Sequence, residues 1–443
     1  MTTTARDVAL DVVAQVRTDE AYSNLVLPTA LRAAGLSSRN AGHATDLVYG
    51  ALRWQKLIDA VIARCITGDP ARVDDDVRDL LRLGTYELII RSEPPHVINE
   101  WVNCANRRFR RAAGFVNATL RAVSRRTPDD WCDEVARGLG DIERRAVLGS
   151  HPEWIVRVFT DSVGEDEIDE LLAADNTPPV PTLVALPRLA TIPVGADATA
   201  YSPHGFRSPG GVLTDINGFS EGFVRAQDEG SQLAALALVA VDDVHEGERW
   251  LDLCAGPGGK TALLAALGIP LGVRLDANEV QDHRAKLVRT SLSPFDDAVP
   301  VTVEDGRDVC RAHRGEYDRI LVDAPCTGLG ALRRRPEARW RKSPVDLVDL
   351  VPLQKELLGA ALGALNVGGV VAYVTCSPHP AETDEVVVAV LANHPEAEAV
   401  DTPAVLRRIA PGIEGIVRGT AVQLWPHRHN TDAMFIQLIR RTR

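Results

Sequence analysis

Two cysteines of this 443-residue chain stand where a thiol could do chemistry. Cys326 lies in "ILVDAPCTG" (320–328), three positions after Asp323 and next to Pro325. Cys376 lies in "VVAYVTCSP" (370–378). Each follows an apolar, β-branched run that predicts a buried strand. Both thiols and the acid therefore belong at strand mouths. A lone buried cysteine is ordinarily a small hydrophobe, and Cys65, Cys104, Cys132 and Cys310 are assigned that role. Two thiols at the mouths of neighbouring strands, one beside an acid, point to a nucleophile. Thiolate is the reactive form, and nearby positive charge raises its fraction. Lys260 and the arginines at 333–335 are the candidates to supply that charge. The seven cysteines are an odd, scattered set with no CxxC pair, which argues against both a disulfide framework and a metal site.

A second stretch, "LDLCAGPGGKT" (251–261), is a strand entering a glycine-rich turn and then a helix. Such a turn lets backbone approach a ligand and aims helix N-terminal amides at it. With Lys260 as its lysine, a phosphate-binding P-loop needs glycine at 254, where Cys254 stands. A dinucleotide GxGxxG beginning at Gly256 needs glycine at 261, where Thr261 stands. The remaining reading is an S-adenosylmethionine loop made of Cys254, Ala255, Gly256, Pro257, Gly258, Gly259 and Lys260. Acids after the following strands agree with it. Glu279 can accept from both ribose hydroxyls, and Asp305, in "VEDGRD", can take the adenine amino group. Asp323 completes the series.

A sulfonium methyl donor needs a nucleophile, and C5 of cytosine is a poor one. A thiolate added to C6 makes C5 enamine-like, a carboxyl group at N3 and N4 stabilises the adduct, and Asp323 suits that task. A second thiol could assist when the C5 proton leaves and the first thiol is eliminated. From the residues alone, either cysteine could be the nucleophile.

The elements that must position these groups follow from periodicity. Residues 5–126 show apolar spacings of three and four and predict helices almost throughout. "TPDDWCDEVARGLGDIE" (127–143) is a polar connection, and 150–230 is mixed, with a proline-rich passage at 176–187. From 231, strands alternate with helices, the signature of a doubly wound, mainly parallel α/β sheet whose ligands sit beyond the strands' carboxyl ends. The expected domains are an all-helical one at 1–135, a small connecting α+β subdomain at 145–230 and a catalytic α/β domain at 231–443. The N-terminus has no apolar signal segment, and no run approaches a membrane span, so the expectation is a cytoplasmic protein with no membrane partner. Net charge is −12. Even so, 107–126 holds seven arginines and no acid, and "RRRPEARWRK" (333–342) holds five arginines and a lysine against one glutamate. Two such runs favour a polyanionic partner, RNA.

"CAGPGGKT", "DAPCTGLGALRRRPEARW" and "VTCSPHPAE", in this order and spacing, resemble the RNA cytosine-C5 methyltransferases of the Sun/Fmu (RsmB-like) group. "YGALR" (49–53), "LRLGTYELI" (81–89) and "GFVNATLR" (114–121) resemble the NusB-like RNA-binding domain fused to them. "HPEWIV" (151–156) and "QDEGSQL" (227–233) resemble the connecting region and the entry to the catalytic domain. The resemblance spans nearly the whole chain. It implies a Rossmann-like class I methyltransferase domain behind a NusB-like helical domain and a small connecting domain. Its implied cofactor is S-adenosylmethionine and its implied partner small-subunit ribosomal RNA, with a monomer favoured. It makes Cys376 the nucleophile, Cys326 the thiol that helps release product, and Glu279, Asp305 and Asp323 cofactor contacts. The chain departs from the pattern at Gly256, where alanine is usual, at "LVALPRL" (183–189) and at "TDAMF" (431–435). The competing reading is a catalytically silent RNA-binding or assembly factor on the same scaffold.

Overall fold

Capping and turn chemistry explain where the first helices begin. Thr4 and Thr127 each form a reciprocal capping box with an aspartate three residues on, and Ser37 caps the helix that follows it. A computed structural model describes residues 3–443. Its contacts divide the chain into two units. One runs to Pro178 and also takes in Leu332–Lys342; the other comprises Pro179–Ala331 and Ser343–Arg443.

The first unit is helical, from Ala5–Thr18 to Ile168–Asn176. Its core packs around the fully buried Trp101, whose indole N–H donates to Glu87. That carboxylate is also paired with Arg6 and hydrogen-bonded to His43, so its burial is compensated. The polar stretch 127–143 is not a linker. Residues Pro128–Ala136 and Asp141–Leu148 are helices of this unit. The division falls in the proline-rich passage instead, between Pro178 and Pro179. Residues 145–230 do not form a body of their own: the helices up to Asn176 belong to the first unit, and the strands that follow belong to the second.

The second unit opens with a small antiparallel sheet of β1 (Thr182–Ala185), β2 (Gly205–Arg207) and β3 (Val224–Ala226), in the order β2-β1-β3. The main sheet follows, built from β4 (Arg249–Asp252), β5 (Arg274–Asn278), β6 (Val301–Thr302), β7 (Tyr317–Asp323), β8 (Leu365–Thr375), β9 (Ala397–Ala399), β10 (Val417–Arg418), β11 (Ala421–Gln423) and β12 (Phe435–Arg441). Strand order is β10-β11-β12-β8-β7-β4-β5-β6, with β9 on β12. The five strands from β8 to β6 are parallel, and β12 joins antiparallel to β8. The fold class expected from the alternating pattern is the one observed. Chain direction across the sheet reverses between β4 and β7, which makes their carboxyl ends the topological switch point where such sheets bind ligands.

Buried runs fill both faces of this sheet. The helix Glu229–Ala240 contributes Leu233, Ala234 and Ala237 to one face, and Asp346–Ala364 contributes Leu358, Ala361 and Leu362 to the other. Arg319 of β7 is buried, yet its guanidinium pairs with Glu248 and donates to the carbonyls of Leu238, Val239, Asp242 and Asp243. It thereby satisfies the carboxyl end of the first of these helices.

Candidate active site

Four strand ends bring three expected residues, with Asp252 beside them, to one rim. Asp252 ends β4, Glu279 follows β5, Asp323 ends β7 and Cys376 follows β8. Asp305 stands three residues beyond β6, as the N-cap of Gly306–Ala312. At the switch point, the Lys260 ammonium meets the Asp323 carboxylate at 2.7 Å. One strand further, the sulfur of Cys326 lies 3.4 Å from that of Cys376. Register explains the pairing of the thiols: β7 and β8 run parallel with Asp323 opposite Val374, so the loops after each strand leave the sheet side by side. All seven cysteines are free thiols.

The two thiols are not equivalent. The hydrogen bond shared with Cys326 and the charge of Lys260 pull Cys376 below the ordinary thiol range, against burial and the Asp323 and Asp432 carboxylates. Cys326 is pushed well above it by its bond to Cys376, by burial and by the negative charge of Glu382 and Asp323. The two shifts run in opposite directions, and the charge of Lys260 favours the ionised form of Cys376. Of the cations suggested by the sequence, Lys260 acts on Cys376. Arginines 333–335 belong to the helical unit.

Only part of the run 333–342 is a basic surface: Arg334 and Arg335 are exposed, while Arg333 and Arg339 are buried. Arg339 is fully buried, and its guanidinium donates to the carbonyls of Arg53, Ser150 and Asp175 and to the Asn176 side chain. Arg341 donates to the carbonyls of Val16, Glu20 and Ala21, and Arg335 lies over the Tyr22 ring. Glu337, also buried, accepts from the N–H and hydroxyl of Ser23 at 2.9 Å each, capping Ser23–Ala34. The segment clips the helical unit together. A charge run read from sequence carries no sign of which carbonyls it will meet 164 to 325 residues away in the chain.

The loop Cys254–Lys260 fits a close-lying ligand. A Cβ at Gly256 would come within 2.2 Å of a Glu279 oxygen, and one at Gly258 within 2.5 Å of Ser291. Gly258 also takes φ 105, a left-handed value that disfavours side chains. The Gly256 N–H donates to Glu279, and Arg284 donates to the Gly256 carbonyl, so the turn and the acid after β5 are one assembly. Two buried groups remain without hydrogen-bond partners here. One is Oδ1 of Asp252, whose carboxyl burial pushes up to about 7. The other is the entire carboxamide of Gln227, which lies beside Gly259. Unpaired buried polar atoms around a helix N-terminus are what a polar ligand completes. Gln227 is absent from the set expected from sequence; its signal was its place in "QDEGSQL", at the entry to the domain. Asp305 is occupied by Arg307, which holds its carboxyl down at about 2.

The turn "TDAMF" supports the same rim. The Ala433 N–H donates to the Gly330 carbonyl, and the Gly330 N–H donates to the Cys376 carbonyl at 2.9 Å. A Cβ at Gly330 would lie 2.0 Å from the Ala433 oxygen, so this backbone approach requires glycine. The other departure, 183–189, lies partly in β1, and its Arg188 is at φ 65. Among the described residues no cluster of three or more His, Cys, Asp or Glu is placed to hold a metal ion, and no helix is long and apolar enough to cross a membrane.

Comparison with known proteins bears on the family and the fold. Residues 239–440 match the family described as 16S rRNA methyltransferase RsmB/F, and residues 3–125 match the NusB family. A protein of Mycobacterium tuberculosis whose name goes no further than methyltransferase is 43% identical over 448 residues, covering 99% of this chain and 96% of the relative. The ribosomal RNA small subunit methyltransferase B of Pseudomonas putida is 33% identical over 427 residues, covering 90% of this chain and 92% of its own. The crystal structure of PH0851 superposes with a TM-score of 0.80 over 99% of each chain at 22% identity, a likeness of fold.

Proposed function

The chain belongs to the 16S rRNA methyltransferase RsmB/F family and carries a NusB-family domain, and from that premise we propose that it methylates C5 of a cytosine in small-subunit ribosomal RNA through a covalent Cys376–C6 adduct. The observation that carries the proposal is the thiol pair, 3.4 Å apart, beside the Lys260–Asp323 contact at the switch point.

S-adenosylmethionine, when bound, supplies an electrophilic methyl group to a carbon nucleophile; the loop 254–260, Glu279, Asp305 and Gln227 would hold it. The chain's own residues generate that nucleophile. The Cys376 thiolate adds to C6 of the base, and the C5=C6 electron pair becomes available at C5. The Asp323 carboxylate accepts a hydrogen bond from the N4 amino group, while Lys260 holds it in place and keeps positive charge close to the attacking sulfur. Once C5 carries its new methyl group, its hydrogen leaves as a proton accepted by a water molecule, and the C–H electron pair stays with the base. The S–C6 bond then breaks, its electrons return to the Cys376 sulfur, and C5=C6 forms again. Cys326, in hydrogen-bond contact with that sulfur, serves this release step. The base must leave its stack to reach the rim, which costs a few kcal/mol and less for an unpaired cytosine.

The test compares Cys326→Ala with Cys376→Ala, each mixed with small-subunit ribosomal RNA and S-adenosylmethionine and run on a denaturing gel. Cys326→Ala is expected to accumulate a covalent protein–RNA band, and Cys376→Ala to give none. An inverted pattern would assign the roles the other way round. No adduct and no methyl transfer by any variant or the wild type would favour a silent scaffold.

A further inference from the structure

The two thiol loops are joined by a buried network that the proposed chemistry does not use. Its centre is Glu382, fully buried six residues after Cys376. One carboxylate oxygen accepts from the Thr327 N–H at 2.7 Å and from the Gln354 amide at 3.1 Å. The other accepts from the Thr327 hydroxyl. Gln354 also donates to the Pro325 carbonyl at 2.8 Å, so the backbone is gripped on both sides of Cys326. Thr327 and Ser377, the residues immediately after each cysteine, lie with their hydroxyl oxygens 3.2 Å apart. Tyr373 donates its hydroxyl to the Glu382 carbonyl at 2.8 Å.

A buried carboxylate held by neutral donors keeps its charge uncompensated, and it exerts that charge on the nearest ionisable group. Here the arrangement is directional. Glu382 acts on Cys326, and the Lys260 ammonium acts on Cys376. A hydrophobic side chain at 382 would fill the same space. It would neither anchor the Thr327 N–H nor tell the two sulfurs apart.

We propose that Glu382 is a positioning residue that assigns the two thiols their parts: it anchors the turn after Cys326 so that this thiol meets Cys376 as the hydrogen-bond donor, leaving Cys376 as the nucleophile. The inference rests on the covalent mechanism above, and Glu382 touches neither RNA nor cofactor in it. The shifts of the two thiols in opposite directions agree. The titratable or charged groups facing the pair are Asp323, Lys260 and Asp432 around Cys376, and Asp323, Glu382 and Tyr373 around Cys326.

The experiment uses the full-length protein with Glu382→Gln and Thr327→Val. Iodoacetamide labelling from about pH 6 to 9, mapped by mass spectrometry, reads which cysteine reacts first and how that preference moves with pH. Wild type is expected to label at Cys376 first. Glu382→Gln should reduce the Cys376-over-Cys326 preference by about tenfold, the change that one pKa unit makes. Thr327→Val should shift it in the same direction by less. Binding of S-adenosylhomocysteine should survive in both, a readout of an intact fold. A preference within twofold of wild type in a variant that binds S-adenosylhomocysteine overturns the inference. Should Glu382→Gln fail to fold, Thr327→Val alone decides. The Cys326→Ala adduct assay separates the two claims: if it traps no RNA, the covalent mechanism fails, while the labelling preference still judges Glu382.

Discussion

The two arginine-rich runs look alike in sequence and differ in fate. In 107–126, Arg107 and Arg108 pair with Asp7 and Asp11, while Arg110 and Arg111 stand exposed in a short turn. In 333–342, Arg339 is sealed inside the helical unit and Arg341 is bound to three carbonyls. The first run keeps cations in water, where an RNA phosphate can reach them. The second uses Arg339 and Arg341 as internal hydrogen-bond donors and leaves Arg334 and Arg335 exposed. Composition sets how much charge a segment carries, and the acceptors that surround it set what the charge is for.

The comparison can be broken most severely at Arg339. Arg339→Met removes the donors for three carbonyls and the Asn176 side chain, all buried, and should destabilise the helical unit by about 3 to 5 kcal/mol. Urea unfolding followed by tryptophan fluorescence checks this. A loss under about 1 kcal/mol would mean that the clip is dispensable.

A smaller effect should come from pH. His151 is fully buried, and burial, with the nearby Arg339, holds it down at about 4 against an ordinary value near 6.5. The folded value lies below the unfolded one. The stability it contributes is therefore fully present above pH 6.5 and is lost as pH falls from there toward 4, because the unfolded chain takes up a proton that the native state refuses. The expected slope is roughly 1 kcal/mol per pH unit across that window. His151→Gln should flatten it in the same unfolding series.

The smallest effect on stability, and the one that sharpens the contrast, belongs to Arg110→Ala with Arg111→Ala. The pair should change the melting temperature little, since both side chains are exposed. It should weaken RNA binding and reduce the slope of log affinity against log salt by roughly 1.4 to 1.8, two phosphate contacts' worth. An unchanged slope would move the RNA surface elsewhere.

Much of the catalytic unit was legible because strands and their ends are local. Apolar runs closing on Asp323 and Cys376 predicted their own boundaries, and the observed strands end at or beside them. The capping box of Thr127 and Asp130 was equally local, and it marks as helix a stretch whose polarity suggested a linker. Gln227 and Glu382 could not be singled out in this way. Each is an ordinary polar residue until the packing shows it buried, the first without partners and the second with three donors.

By itself the sequence determined the alternation of strand and helix, the glycine turn that excludes side chains, and the presence of two thiols and an acid at strand mouths. All of these follow from periodicity and residue type over a few positions. Only the tertiary structure decided which charges surround each thiol and which arginines of the second run turn inward. Both depend on charges and carbonyls brought together from distant parts of the chain: Lys260 with Asp323, Thr327 with Glu382, Ser23 with Glu337. Electrostatic fate is a property of neighbours in space, and a linear pattern does not hold those neighbours.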